Sequence, residues 1–565
     1  MQALQLQVLQ QWAQKHNRVV YAALLDISKA FDSVSHLGLL LKLLRVGVPP
    51  PMAKLISMLL ANHVNHIDRE TNVEISRGAP QGSVLGPFGF LMFFDLGKCL
   101  DEVKGIEAIA SPFSMPQRTN MWADDTVVMA NSIEELQKLL DAAYDWGKTW
   151  SMEFNAKKSV AIALGRRNCG GRLAVPPIAV TIGKDAIPWA NEVTHLGVPL
   201  RARYSESRPK RFSEAKEKRI TGKIDELSML LRRHYGLNAT VSLKMVETVI
   251  LPMILYGCEV VDLPESAQVH LNRCLRLVLG AYDRSHRYEL HYFCGQWRVQ
   301  AIVEQRRLVA VARWLVWKKG GEELAKTLKF AEEEDLPWWR KLNETIERLQ
   351  LTWEWRQLRL SSNPPETVKM RPTKAELRAK VEMWKLKVKE RLDAEEAKWQ
   401  QESLNGGFKE AIPLKCRKHP ALWTKDANFA FMMMADHYDP INVVEENGGK
   451  ARRCYRCGKE DGDRASHMLL ECMEKEVKEL RKMNTVVLRM CERRNFLRLW
   501  TDESEKTPKG VALEGMKSLL KTNPKKMEML MAYMKSIYGL RKRARRESLR
   551  YERETLPSIV RNTIH

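Results

Sequence analysis

Over the first two hundred residues the apolar positions switch repeatedly between the period of a strand and the period of a helix. The run "RVVYAALLD" (18–26) collects β-branched and apolar residues and stops at Asp26, which predicts a buried strand. Ahead of it, "MQALQLQVLQQWAQKHN" predicts one helix. "HLGLLLKLLRVGVPPPMAKLISMLLANHV" (36–64) predicts two helices broken at Pro49, Pro50 and Pro51. "NVEISRGAPQGSVLGP" (72–87) passes from a strand through a Gly/Pro-rich turn into an apolar helix. In "SIEELQKLLDAAYDWGKTW" (132–150), Leu136, Leu139, Leu140, Ala143 and Tyr144 fall at helical spacing behind Ser132, a plausible N-cap. Strands return at "VAIALG" (160–165) and "EVTHLGVPL" (192–200). This alternation predicts an α+β fold, a sheet with helices packed on it.

From about residue 205 the text becomes helical and basic, as in "FSEAKEKRITGKIDELSMLLRRHYGL" and "AQVHLNRCLRLVLGAY". Residues 320–410 are rich in Glu, Lys, Arg and Trp and read as long solvated helices, interrupted most clearly at "SSNPPETVKMRPT" (361–373). The expected organisation is an α/β domain over 1–204, a helical segment over 205–320 and a charged helical linker over 321–450. A cysteine module over 451–475 and a basic helical tail over 476–565 complete it. No internal repeat is evident.

Charge adds a direction to this plan. The net charge is +23, and of the 92 Lys and Arg and 69 Asp and Glu only 19 and 18 fall in residues 1–200, leaving 73 and 51 beyond. Such an excess points to a polyanionic partner, nucleic acid first and an acidic membrane surface second. The tail's "RKRARRE" (541–547) reads as a solvated face, a phosphate contact or a nuclear-localisation signal. No apolar run approaches the ~20 residues of a membrane span, and the N-terminus does not read as a secretion signal. Seven of the ten cysteines are scattered, which fits a reducing intracellular compartment.

Two stretches carry candidate chemistry. In "NMWADDTVVMA" (120–130) two adjacent carboxylates sit between strand formers, which predicts a hairpin with Asp124 and Asp125 at its turn. A solvated turn is one reading. A bound dication, which would keep both groups ionised, is the other, and Asp26 could complete such a site if its strand lies beside the hairpin. "CYRCGKEDGDRASHMLLEC" spells C-x2-C-x9-H-x4-C at Cys454, Cys457, His467 and Cys472, a spacing suited to one structural Zn²⁺ ion. The alternative is a redox dithiol. Cys416 and His419 in "CRKHP" lack partners at comparable spacing.

Taken in order, "LLDISKAFDSV", "SRGAPQGSVLGPFGF", "WADD", "FNAKKS" and "HLGVPL" closely resemble the palm motifs of reverse transcriptases of the non-LTR retrotransposon type. The resemblance extends to "VETVILPMILYGCEVV" (246–261), similar to the thumb of that family, and to the zinc-knuckle-like module. It implies a palm over 1–204 with only part of the fingers, an all-α thumb over 205–320, and RNA-directed DNA polymerase activity. By that resemblance Asp26, Asp124 and Asp125 hold two Mg²⁺ ions. Phe31 crowds the sugar 2′ position, Gln81 and Gly82 lie against the incoming nucleotide and template, and Arg77 braces that loop. Lys158 donates a proton to pyrophosphate, with Lys157 its rival, and Asn155 supports their turn. Asp32 is structural, and Leu196, Gly197 and Val198 form a primer grip. The implied partners are an RNA template, a DNA primer and deoxynucleoside triphosphates, and the implied location is the nucleus, with the cytoplasm as alternative. Only 25 residues precede Asp26, so a truncated or co-opted, catalytically silent nucleic-acid-binding remnant is the competing expectation. A metal-dependent nuclease would use the same carboxylates but leaves "APQG" unexplained.

Overall fold

The computed structural model describes residues 2–61, 64–66, 72–74, 77–79, 85–106, 109, 118–165, 178–205, 209–231, 239–281, 287–316, 321–362 and 373–403, with 479, 532 and 536 as isolated positions. Two compact units divide the chain. The first comprises Met1–Arg208, Tyr256–Asp262 and Arg306–Lys385, so three separate stretches build it. The second comprises Pro209–Leu255, Leu263–Gln305 and the stretch from Leu386 onward.

The first unit opens with α1 (Gln2–Lys15), β1 (Val20–Leu25), α2 (His36–Arg45), α3 (Pro50–Ala61), β2 (Val64–His66) and β3 (Asn72–Glu74). It continues with α4 (Leu85–Phe93), α5 (Leu96–Asp101), β4 (Thr119–Trp122), β5 (Asp125–Ala130), α6 (Ile133–Trp150) and β6 (Val160–Leu164). Two short hairpins follow, β7 (Val180–Ile182) with β8 (Asp185–Ile187) and β9 (Glu192–His195) with β10 (Val198–Arg201). The expected break between α2 and α3 falls at residues 46–49. Pro50 and Pro51 lie inside the first turn of α3, where a missing N–H costs nothing because that turn has no intrahelical acceptor. Ser132 caps α6 as expected, its hydroxyl accepting from the Glu135 N–H at 3.1 Å.

The main sheet is antiparallel, with strand order β4-β5-β1-β6. Helices α2, α4, α5 and α6 cover it through a core that includes Leu39, Leu43, Phe90, Phe93, Leu139 and Leu140. One charge is folded into that core. Lys42 is buried, its ammonium 2.5 Å from an Asp95 carboxylate oxygen and 2.6 Å from the Phe93 carbonyl, with the Trp150 ring centroid at 3.8 Å. Burial pulls its pKa below the ordinary value, against the opposing pull of Asp95.

The second unit is helical: α7 (Glu214–Leu231), α8 (Ala239–Met245), a π-helical turn at Val246–Ile250, α9 (Leu251–Leu255), α10 (Ser266–Leu279) and α11 (Arg287–Cys294). Of the helices that follow, α13 (Gly321–Glu333), α14 (Pro337–Arg348) and α15 (Thr352–Ser362) fall within the first unit, while α12 (Val299–Val316) and α16 (Lys374–Ser403) each contribute residues to both. The helices expected as a solvated linker are corrected here. Trp338, Trp339, Leu342, Ile346, Trp355, Leu358 and Trp384 are all buried. The Trp338 N–H donates to the side-chain oxygen of Gln11 on α1 at 2.9 Å, so α14 belongs to the packing of the first unit. The abundant Lys and Glu of these helices hid an apolar stripe, which in α14 runs Trp338, Trp339, Leu342 and Ile346 at helical spacing.

Candidate active site

Three segments distant in sequence meet at the end of β1. The first is Asp26 itself, the residue after the strand's last paired position. β1 runs antiparallel to β5 with Leu25 opposite Thr126, so one further register step sets Asp26 across from Asp125. The second is the β4–β5 hairpin. Trp122 pairs with Asp125, leaving Ala123 and Asp124 as a two-residue turn, with Ala123 at φ +54°. A non-glycine residue in the left-handed region costs about 1 kcal/mol, and such strain is commonly kept where a turn must present a side chain. Asp124 is half-buried at this turn and Asp125 opens the strand.

The third segment is the "FNAKKS" turn. Ile27 bridges to Phe154, the Ser28 N–H donates to the Glu153 carbonyl at 2.8 Å, and the Asn155 N–H donates to the Asp26 carbonyl at 2.8 Å. The Ser159 hydroxyl accepts from the Asp26 N–H at 3.1 Å and donates to the Asn155 carbonyl at 2.9 Å. Both backbone groups of Asp26 are thus held from one turn. The Asn155 side chain accepts from the Lys158 N–H at 3.2 Å, which sets the turn carrying exposed Lys157 and Lys158. Ser159 was not singled out from the sequence. Its signal was its place at the end of the same motif, one residue before a strand.

The electrostatics agree with this convergence. Burial, then Asp124, then Asp26 push the Asp125 carboxyl above its ordinary pKa. Asp125 therefore senses both of the other carboxylates, and the hard oxygen donors of the three are the chemistry that a Mg²⁺-like ion takes. Among the described residues, however, no three His, Cys, Asp or Glu side chains are gathered closely enough to ligate a single ion.

The loop expected to face the substrate lies beside this site in part. Ser35 and Arg77 form an antiparallel bridge, the Gly78 N–H donates to the Val34 carbonyl at 2.8 Å and the Ala79 N–H to the Phe31 carbonyl at 2.8 Å. Gly78 sits at φ +105°, and a Cβ there would lie 3.3 Å from the Asp32 backbone. Arg77 is exposed, and the backbone of Asp32 lies close against Gly78. Phe31 is half-buried, its ring stacked on Phe90 with centroids 4.3 Å apart. Gln81 and Gly82 lie outside the described residues, as do Cys454, Cys457, His467 and Cys472.

The "HLGVPL" segment forms the β9–β10 hairpin, with Leu196 at φ +49° and Gly197 at φ +73° in its turn. The hydroxyl of Tyr256 donates to the Leu196 carbonyl at 2.9 Å, and a Cβ on Gly197 would lie 2.6 Å from the Tyr256 ring. Tyr256 stands in a segment read only for its general likeness to a thumb, and nothing in its spacing announced this contact.

A sheet of this order with carboxylates at the end of β1 and at the β4–β5 turn is a polymerase-type palm, and residues 2–200 match the family model described as reverse transcriptase (RNA-dependent DNA polymerase). That stretch is thus similar to reverse transcriptases, and the relatives it matches are polymerases of mobile elements. The chain is 26% identical over 276 residues to the "RNA-directed DNA polymerase from mobile element jockey" of Drosophila melanogaster, 46% of this chain and 28% of that protein. It is 28% identical over 273 residues to the "Probable RNA-directed DNA polymerase from transposon X-element" of the same species, covering 45% and 28%. A third relative, the "Retrovirus-related Pol polyprotein from type-1 retrotransposable element R2" of Popillia japonica, is 28% identical over 158 residues, covering 27% and 22%. The matched stretch thus spans 28% or less of each of these relatives. Among the described residues no helix is long and apolar enough to cross a membrane.

Proposed function

We propose that this chain is an RNA-directed DNA polymerase that extends a DNA primer on an RNA template. The observation that carries the reading is the pairing of β1 with β5, which sets Asp26 beside Asp124 and Asp125 although about a hundred residues separate them. Divalent ions held by these three carboxylates, with Mg²⁺ the ion they suit, would supply charge at the primer 3′-hydroxyl and at the leaving pyrophosphate. The residues around them have distinct tasks. Phe31, braced by Phe90, faces the sugar and excludes a 2′-hydroxyl. Gln81 and Gly82 contact the incoming nucleotide and template, with Arg77 holding their loop against residues 31–35. Lys158 protonates the departing pyrophosphate, and the turn Leu196–Gly197–Val198 seats the primer end. The helices of the second unit serve as thumb, and a Zn²⁺ ion on Cys454, Cys457, His467 and Cys472 orders a nucleic-acid-binding knuckle.

The test is incorporation of deoxynucleotides by the full chain on an RNA template with an annealed DNA primer. Mg²⁺-dependent extension is expected, with Asp124→Asn lowering it by about 10³-fold or more, the scale at which loss of a group essential to the chemistry is read. Absence of any incorporation by the parent chain rejects the polymerase. The basic excess beyond residue 200 supports a second reading, binding of nucleic acid without catalysis. It is favoured if affinity for primer–template falls steeply with salt while no nucleotide is added.

A further inference from the structure

Helix α1 is an unusual buried helix, because Gln5, Gln7, Gln10 and Gln11 are each at most 6% exposed. Buried amides persist only when they are hydrogen-bonded, so where their bonds go shows what the helix holds. Gln11 accepts from Trp338, and the others reach two different hairpins. At the N-terminal end Gln2 donates to the Met121 carbonyl, and the Gln5 side-chain oxygen accepts from the Asn120 side chain at 3.3 Å, both on β4. Further along, the stripe Gln7, Gln10 and Gln14 faces β10 and the residues just after it. Gln7 donates to the Pro199 carbonyl at 3.1 Å, Gln10 to the Arg201 carbonyl, and Gln14 both donates to the Tyr204 carbonyl at 3.1 Å and accepts from its N–H at 2.9 Å.

Among the described residues β10 has only β9 as a strand neighbour, so its other edge carries carbonyls that no described strand satisfies. The glutamines take the place of that missing strand. Spacings of three and four residues keep them on one side of the helix, where each meets a carbonyl further along the extended chain. The helix is also seated closely. A Cβ on Gly165, at the end of β6, would lie 2.6 Å from the Ala13 Cβ.

We propose that α1 is a strut fixing the 195–198 turn at a set distance from Asp124 and Asp125, with Gln7, Gln10 and Gln14 as positioning residues for the primer end. This rests on the polymerase reading of the turn. From Gln2 to Gln14 the helix is a rigid span of about 18 Å, at 1.5 Å per residue. A primer end held by the turn must meet the carboxylates within about an ångström for efficient transfer, and a helix tied at both ends supplies that tolerance.

The experiment compares Gln7→Met/Gln14→Met in the full chain with Gln11→Met. Methionine keeps the length and removes the amide. Gln11 lies on the same helix but bonds to Trp338 rather than to the hairpin, so it controls for loss of a buried hydrogen bond alone. In the double variant KM for primer–template should rise about tenfold, KM for the nucleotide should stay within about twofold, and Gln11→Met should leave both within about twofold. Amide exchange over residues 195–204 should quicken in the double variant and not in the control. Equal loss of primer affinity in the two variants, or unchanged exchange over 195–204, overturns the strut. If the parent chain adds no nucleotide, the polymerase reading fails by itself and the exchange comparison still decides the strut. Should the double variant not fold, Gln14→Met alone tests the same contact near the end of the helix with the same readouts.

Discussion

Asp125→Asn should stabilise the fold while removing the proposed activity, because the structure places this carboxylate where the chain gains nothing by charging it. Asp125 is pushed above the usual carboxylate pKa by burial and by Asp124 and Asp26. For carboxylates about 6 Å apart at an effective dielectric of about 40 to 80, each repulsion costs about 0.7 to 1.4 kcal/mol. Because Asp125 is solvent-exposed, screening reduces the total to about 1 kcal/mol. The sign follows from linkage. A carboxyl whose folded pKa exceeds its unfolded value lowers stability at neutral pH, and the handicap disappears as pH falls through the folded pKa toward about 3.9. Urea unfolding of the full chain without divalent ions, read by amide exchange over residues 119–130, should show Asp125→Asn more stable at pH 7.5 and no different below about pH 4. Added Mg²⁺ should then raise the parent more than the variant, since an ion that binds the folded carboxylates stabilises by mass action. A variant less stable than the parent at pH 7.5, or an advantage that persists into acid, refutes the reasoning, because Asp125 would then be making favourable contacts.

Two further substitutions probe the supports of the site. Ser159→Ala leaves the Asp26 N–H without its partner and should cost about 1 to 3 kcal/mol in urea unfolding. It should also lower the extension rate more than the affinity for primer–template, and an unchanged rate would show that Asp26 needs no such anchor. Gly197→Ala forces a left-handed residue into contact with Tyr256 and should cost about 1 to 2 kcal/mol. In a Tyr256→Ala background the cost should shrink, so an additive double-mutant cycle would show that the ring is not the obstacle.

The local elements were largely legible in the sequence. Asp26 ends its strand, Asp124 lies in a hairpin turn, Ser132 caps its helix and "HLGVPL" turns between two strands, each because backbone preference and short-range hydrogen bonding act within a few residues. The family likeness was legible as well, since it rests on the spacing of such local motifs. Less legible was which polar side chains the core would take in. Lys42 read as one basic residue on a leucine-rich helix, yet α4, α5 and α6 enclose it with a carboxylate and aromatic rings. Trp338, Trp339 and Trp355 of α14 and α15 read as part of a solvated linker, yet they are core.

The sequence by itself pointed to β1, the β4–β5 turn, the capped α6 and the β9–β10 turn, and to the carboxylates that could act together. Only the tertiary structure decided that Ser159 and Asn155 hold the backbone of Asp26, that Tyr256 braces the Leu196–Gly197 turn, and that the glutamines of α1 join two hairpins. The reason is physical. A propensity or a cap is settled by neighbours along the chain, whereas a buried hydrogen bond depends on which unpaired group the fold brings opposite, and for Gln11 and Trp338 that group lies 327 residues away.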